Sequence, residues 1–139
     1  MNSRLNLALR EKTGLVYSVE SNVSSFTDAG LFTIYFGTDP NQTDRCMSIV
    51  RKELKKLCDK PLSELQINAA RKQLYGQIMI SSENKESQAL SMGKSLMYFN
   101  HYDSIEEIID KIDKITPLRL MEIAREVFNP DTMSLLIYK

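Results

Sequence analysis

Apolar and polar residues alternate with a period of two in a few short stretches of this chain, and recur with a period near 3.6 over most of the rest. The first alternating stretch is Leu15 to Val23, which predicts a strand with Leu15, Tyr17, Val19 and Val23 on one face. The second is Gly30 to Thr38, with Phe32, Ile34 and Phe36 opposite Leu31, Thr33 and Tyr35. Ser24 to Ala29 between them is polar enough for a turn, so the two strands predict an antiparallel hairpin. Met133 to Lys139 predicts a final strand.

The helical stretches carry their own start and stop signals. Asn2 or Ser3 caps a helix running to about Lys12, with Leu5, Ala8 and Leu9 as its apolar stripe. Gly14 ends it in the left-handed conformation that a helix C-cap requires. Asp39-Pro40-Asn41 opens a helix to about Cys58. Ser63 and Gln66 form a capping box for the next helix, whose apolar face is Ile67, Ala70, Leu74 and Ile78. A break at Ser81 to Asn84 precedes a helix over Glu86 to Tyr98. Ser104 and Glu107 form a second capping box, followed by Ile105, Ile108, Ile109, Ile112 and Ile115 in one helical stripe. Thr116 caps the last helix and Pro117 begins it. Helix, hairpin, several helices and strand together predict an α+β fold, a mostly antiparallel sheet with helices packed on one face. At 139 residues the chain is expected to form a single domain, 1–139.

Charge narrows the function. The 18 basic and 18 acidic residues cancel, which argues against electrostatically driven nucleic-acid binding. The run Arg51 to Lys56 is a solvated helix face, because Val50, Leu54 and Leu57 recur beneath it. Cys46 and Cys58 share a predicted helix about 18 Å apart, beyond disulfide reach. No run of about 18 apolar residues predicts a membrane span.

Two side chains stand out for chemistry. Arg10 and Tyr17 lie seven residues apart where the first helix gives way to the first strand. Arginine offers a planar fork of donors and tyrosine a hydroxyl on a stiff ring. Such a pair can orient or polarise a carbonyl in a bound peptide. From the residues alone, Arg10 can equally serve the helix C-terminus, and Tyr17 can be an ordinary strand residue. His101 is the single histidine, in Asn100-His101-Tyr102-Asp103 before a helix cap, and reads as a loop residue rather than a metal ligand. No phosphate loop or nucleophile elbow is present.

Ser3-Arg4-Leu5 followed by LREKTGLVYSV over residues 9–19 resembles the signature of the second, non-zinc half-domain of pitrilysin/insulinase-type zinc peptidases. That family includes the mitochondrial processing peptidase and its bacterial relatives. The resemblance continues through Gly30 to Gly37, through Leu62 to Ile80, and through residues 116–138, so it covers nearly the whole chain. It implies a metallopeptidase half-domain of the processing-peptidase and LuxS type, here without the strands and helix that precede Ser-Arg-Leu in the family. The sheet edge left by those strands would be a template for another chain, hence the expectation of a homodimer or another edge contact.

The resemblance also implies a division of labour. The zinc half-domain carries His-x-x-Glu-His plus a distant glutamate, two histidines and that glutamate holding zinc and the first glutamate activating water. One histidine cannot build that site, so this chain is expected to hold no metal and to be inactive alone, with zinc in the complementary half on the same polypeptide or a partner subunit. The two halves enclose a peptide substrate in a chamber. Carried over by the motif, Arg10 would bind the substrate backbone and Tyr17 would donate to the scissile carbonyl as its oxyanion develops. Partners are therefore a peptide and the His-x-x-Glu-His half, with no nucleic acid and no membrane. Likeness to bacterial-type relatives tilts the compartment towards the cytoplasm. A non-catalytic scaffold or core subunit of the same fold is the alternative. An unrelated α+β binding module is a third, which would make the motif match a coincidence.

Overall fold

A computed structural model describes residues 3–138. Asn2, the alternative first cap, and Lys139, the end of the predicted last strand, lie outside the described residues. The chain divides into two compact units, one of residues up to Lys60 together with those from Met121, the other Pro61–Leu120.

The first unit holds the signature. Helix α1 (Arg4–Asn6) is capped by the Ser3 hydroxyl, which accepts from the Asn6 N–H at 3.2 Å. It does not continue as an α-helix. Residues Leu7–Glu11 widen into a π-helical turn, with the Lys12 N–H bonding the Leu7 carbonyl at 3.0 Å. The Thr13 hydroxyl lies 3.1 Å from the Ala8 carbonyl and 2.9 Å from that of Leu9, and so serves the carbonyls freed by the widening. Gly14 then adopts φ +61°, as its place after the helix predicts.

Strand β1 (Val16–Ser25) pairs antiparallel with β2 (Gly30–Thr38). The hairpin loop is closed by the Phe26 N–H on the Ala29 carbonyl at 2.8 Å. A 3₁₀ turn (Pro40–Gln42) leads into α2 (Thr43–Asp59). Leu9, Val16, Cys46, Val50 and Leu54 are buried together, with Val19, Ile34, Phe36 and Phe128 packed around them. This places the hydrophobic stripe of α2 and the π turn on one face of the hairpin, the helix-on-sheet layer that the sequence predicts. Phe32 and Phe128 meet edge to face, ring centres 5.1 Å apart. The Arg125 Nε–H bonds the Cys58 carbonyl at 2.7 Å.

The predicted last strand is not one. Residues 133–138 form no ladder, because among the described residues the sheet has two strands and neither takes this segment as a neighbour. Leu136 and Tyr138 are left exposed. An apolar run in sequence records surface to be covered; a strand also needs a neighbour to pair with.

In the second unit, α3 (Glu64–Ser82) and α5 (Ile105–Asp113) each begin with a complete capping box, Ser63 with Gln66 and Ser104 with Glu107. Helix α4 (Lys85–Phe99) is capped by Asn84 and closed by Asn100 at φ +50°. Arg71 on α3 donates to the carbonyls of Asp113 and Ile115 at 3.0 and 2.7 Å, capping the end of α5. Of the face predicted for α3, Ile67 is buried and Ile78 half-buried, while Ala70 and Leu74 are exposed. The isoleucine stripe of α5 is half-buried except Ile115. Helix α6 (Pro117–Val127) starts from Thr116, whose hydroxyl accepts from the Arg119 N–H at 3.2 Å. Among the described residues, no helix is long and apolar enough to cross a membrane.

Candidate functional site

The corner between the π turn and β1 carries both residues singled out by the sequence. Two backbone bonds draw it together: the Gly14 N–H reaches the Arg10 carbonyl at 2.9 Å, and the Leu15 N–H reaches the Leu9 carbonyl at 3.0 Å. Each spans one residue more than in an ordinary helix ending with a left-handed glycine, which is the consequence of the π winding. The π turn thereby carries Leu9 fully into the core and leaves Arg10 exposed. Among the described residues the Arg10 guanidinium has no hydrogen-bond or ion-pair partner, so its five donors face solvent. Glu11 is likewise an exposed surface charge.

Tyr17 does not share a face with Val19, contrary to the simple alternation. The strand register steps from Val16 opposite Thr38 to Ser18 opposite Gly37, so Tyr17 is the extra residue of a β-bulge. Val16 and Val19, three apart, can then both point to the core. Tyr17 is turned out, with 71% of its surface accessible. The Thr38 hydroxyl seals the bulged end by bonding the Leu15 carbonyl at 2.5 Å.

One partner of Tyr17 escaped the sequence reading. Its hydroxyl donates to Asp39 Oδ1 at 2.5 Å. Asp39 follows β2 directly and is held in the extended region, φ −66° and ψ 144°, as a residue before proline must be. Its carbonyl accepts from the Gln42 N–H at 2.9 Å, fixing the turn. The Asp39 carboxylate, first as hydrogen-bond acceptor and then as a negative charge, pushes the titration of Tyr17 above the ordinary phenol range. A phenol is protonated at neutral pH in any case, and in that form it can donate. The signal in the sequence was the closeness of β1's start and β2's end in a hairpin, which brings residue 17 near residue 39.

His101 forms a small exposed cluster with Asp103 and Glu107, whose ligand atoms lie within 4.8 Å of one another. These atoms are already engaged. His101 Nε2 meets Asp103 Oδ1 at 3.0 Å, Lys111 Nζ lies 2.6 Å from Asp103 Oδ2, and Glu107 Oε2 accepts from the Ser104 N–H at 2.7 Å. The set does not fit a catalytic zinc: an ammonium ion sits on one carboxylate, and the other completes a helix cap.

The described residues form an α+β fold, and in the first unit α2 and the π turn pack on one face of an antiparallel hairpin. Residues 1–74 match the family described as peptidase M16 inactive domain, more than half of the 139 residues. The chain belongs to that family. It is 31% identical over 131 residues to YmxG of Bacillus subtilis, named as an uncharacterized zinc protease, covering 94% of this chain and 32% of that protein. It is 35% identical over 127 residues to a similarly named protein of Streptomyces coelicolor, covering 91% of this chain and 28% of the other. The chain therefore spans about a third of the length of these relatives. Among solved structures, a chain of Candida albicans complex III with Inz-5 bound superposes with a TM-score of 0.80 at 21% identity, covering 91% of this chain and 30% of that one. A peptidase M16 inactive domain from Pseudomonas fluorescens gives 0.73 at 19% identity, covering 89% and 29%.

Proposed function

We propose that this chain is the substrate-binding and transition-state-orienting half of a zinc-dependent metalloendopeptidase that cleaves peptides between two half-domains. Zinc and the activated water belong to the complementary His-x-x-Glu-His half, on the same polypeptide or a partner subunit. That half supplies the Lewis acid and the nucleophile. Arg10 binds the peptide backbone, its fork of donors matching one or two carbonyls. Tyr17 donates its hydroxyl proton in a hydrogen bond to the scissile carbonyl as negative charge grows on that oxygen. A preorganised donor of this kind lowers the barrier by about 3 kcal/mol. The observation that carries the reading is the placing of Tyr17 on a bulge, turned out of the sheet while Val16 before it is buried and Val19, two residues on, packs against the core. A bulge costs ladder pairing and is used to re-aim a side chain.

The test is hydrolysis of an internally quenched peptide by the zinc half alone and by the assembled enzyme. The reading expects turnover to need this half. Assembly without any gain in turnover would favour the alternative, a scaffold or core subunit of the same fold. The likeness to a chain of complex III supports that alternative. A homodimer remains part of the proposal because the two-stranded sheet has unpaired outer edges among the described residues; a monomer by light scattering at high concentration would remove it.

A further inference from the structure

We infer that Asp39 is a positioning residue that occupies the Tyr17 hydroxyl in the empty site and surrenders it to the substrate carbonyl. The inference rests on the role proposed for Tyr17. A phenol has a single O–H, and an ionised carboxylate can only accept, so the direction of the 2.5 Å bond is fixed: Tyr17 donates and Asp39 receives. While that bond stands, Tyr17 has no proton left for a substrate oxygen. Both groups are exposed, so a peptide carbonyl arriving from solvent can compete directly. Asp39 cannot follow the ring. Its backbone is held between the end of β2, Pro40 and the Gln42 N–H. Tyr17, on an unpaired bulge position, is the partner free to move.

The exchange has a kinetic signature. The Tyr17–Asp39 bond is present in free enzyme and absent from both the Michaelis complex and the transition state. Removing its acceptor therefore favours binding of substrate and transition state equally, which appears in KM and not in kcat.

In the assembled enzyme, Asp39→Ala is expected to lower KM about three- to tenfold, the discount for exposure included, with kcat within about twofold. Asp39→Asn keeps an accepting oxygen and should fall between. In a Tyr17→Phe background, Asp39→Ala should leave KM unchanged, since no hydroxyl remains to be released. A KM that is unchanged or raised in Asp39→Ala, or a fall that persists without the Tyr17 hydroxyl, overturns the inference. A second readout separates the causes. With carbon-13-labelled tyrosine in the assembled enzyme, the Tyr17 resonance should titrate at lower pH in Asp39→Ala than in the wild type. An unmoved titration means the bond is not made in solution, and the inference fails there. A shifted titration with full turnover in Tyr17→Phe places the failure in the catalytic role of Tyr17, and the exchange with substrate falls with it.

Discussion

Gly14 and Gly76 offer the same substitution with opposite expected signs. A Cβ built on either would meet no atom within 4 Å, so neither change to alanine introduces a clash. Only the backbone differs. Gly14 sits at φ +61°, where an L side chain costs about 1–2 kcal/mol. Stiffening of the unfolded chain returns about 0.4–1 kcal/mol, so Gly14→Ala should destabilise by about 1 kcal/mol net. Gly76 lies inside α3, where glycine is about 0.5–1 kcal/mol worse than alanine, so Gly76→Ala should stabilise by that amount. In urea the midpoints should move in opposite directions with unchanged slopes. On heating, the shifts should be about 4 °C down and about 2–4 °C up. Gly14→Asn should cost less than Gly14→Ala, because asparagine tolerates the left-handed region. A neutral or stabilising Gly14→Ala would refute the reasoning, since it would mean that the left-handed corner joining Arg10 to Tyr17 is not held in solution.

Three further outcomes are expected. Leu9→Ala, at a fully buried core position, should cost about 3 kcal/mol in chemical denaturation, and a loss under 1 kcal/mol would mean the π turn does not seat Leu9 as described. Lys111 chiefly, with His101 assisting against partial desolvation, holds the Asp103 carboxyl below its ordinary value of 3.8. A carboxyl lowered in the folded state contributes stability above its unfolded pKa and loses it as pH falls through the folded one. Asp103→Asn should therefore be less stable than wild type above about pH 4 and converge with it in more acidic solution; a gap that widens with acid would contradict the assignment. The single-domain expectation predicts one urea transition seen alike by far-ultraviolet circular dichroism and tyrosine fluorescence, and two separate transitions would assign independent stability to the two compact units.

Much of the fold was legible because its signals are local. A capping box is a contact between residues three apart, and Ser63 with Gln66 and Ser104 with Glu107 form as their spacing dictates. Gly14 marks a backbone conformation that few other residues tolerate. The resemblance reached the family for the same reason: its block from Arg10 to Tyr17 is contiguous. What stayed hidden depends on neighbours distant in sequence. The π turn in place of an α-helix is set by Leu9 reaching the core and by Thr13 serving two carbonyls, and no propensity records that. The bulge at Tyr17 had a trace in the sequence, since Val16 and Val19 are both apolar at a spacing that a regular strand cannot bury. Asp39 came to light only once the hairpin register was known. The final apolar segment shows the converse error, a predicted strand whose ladder partner is not among the described strands.

The most direct test of the central claim is steady-state hydrolysis of a quenched peptide by the assembled enzyme carrying Tyr17→Phe, with Arg10→Ala alongside and assembly verified for each. The account predicts that Tyr17→Phe lowers kcat about a hundredfold with a smaller change in KM, and that Arg10→Ala collapses turnover as well. Turnover indifferent to both residues in an intact assembly would contradict it and leave the scaffold reading in its place.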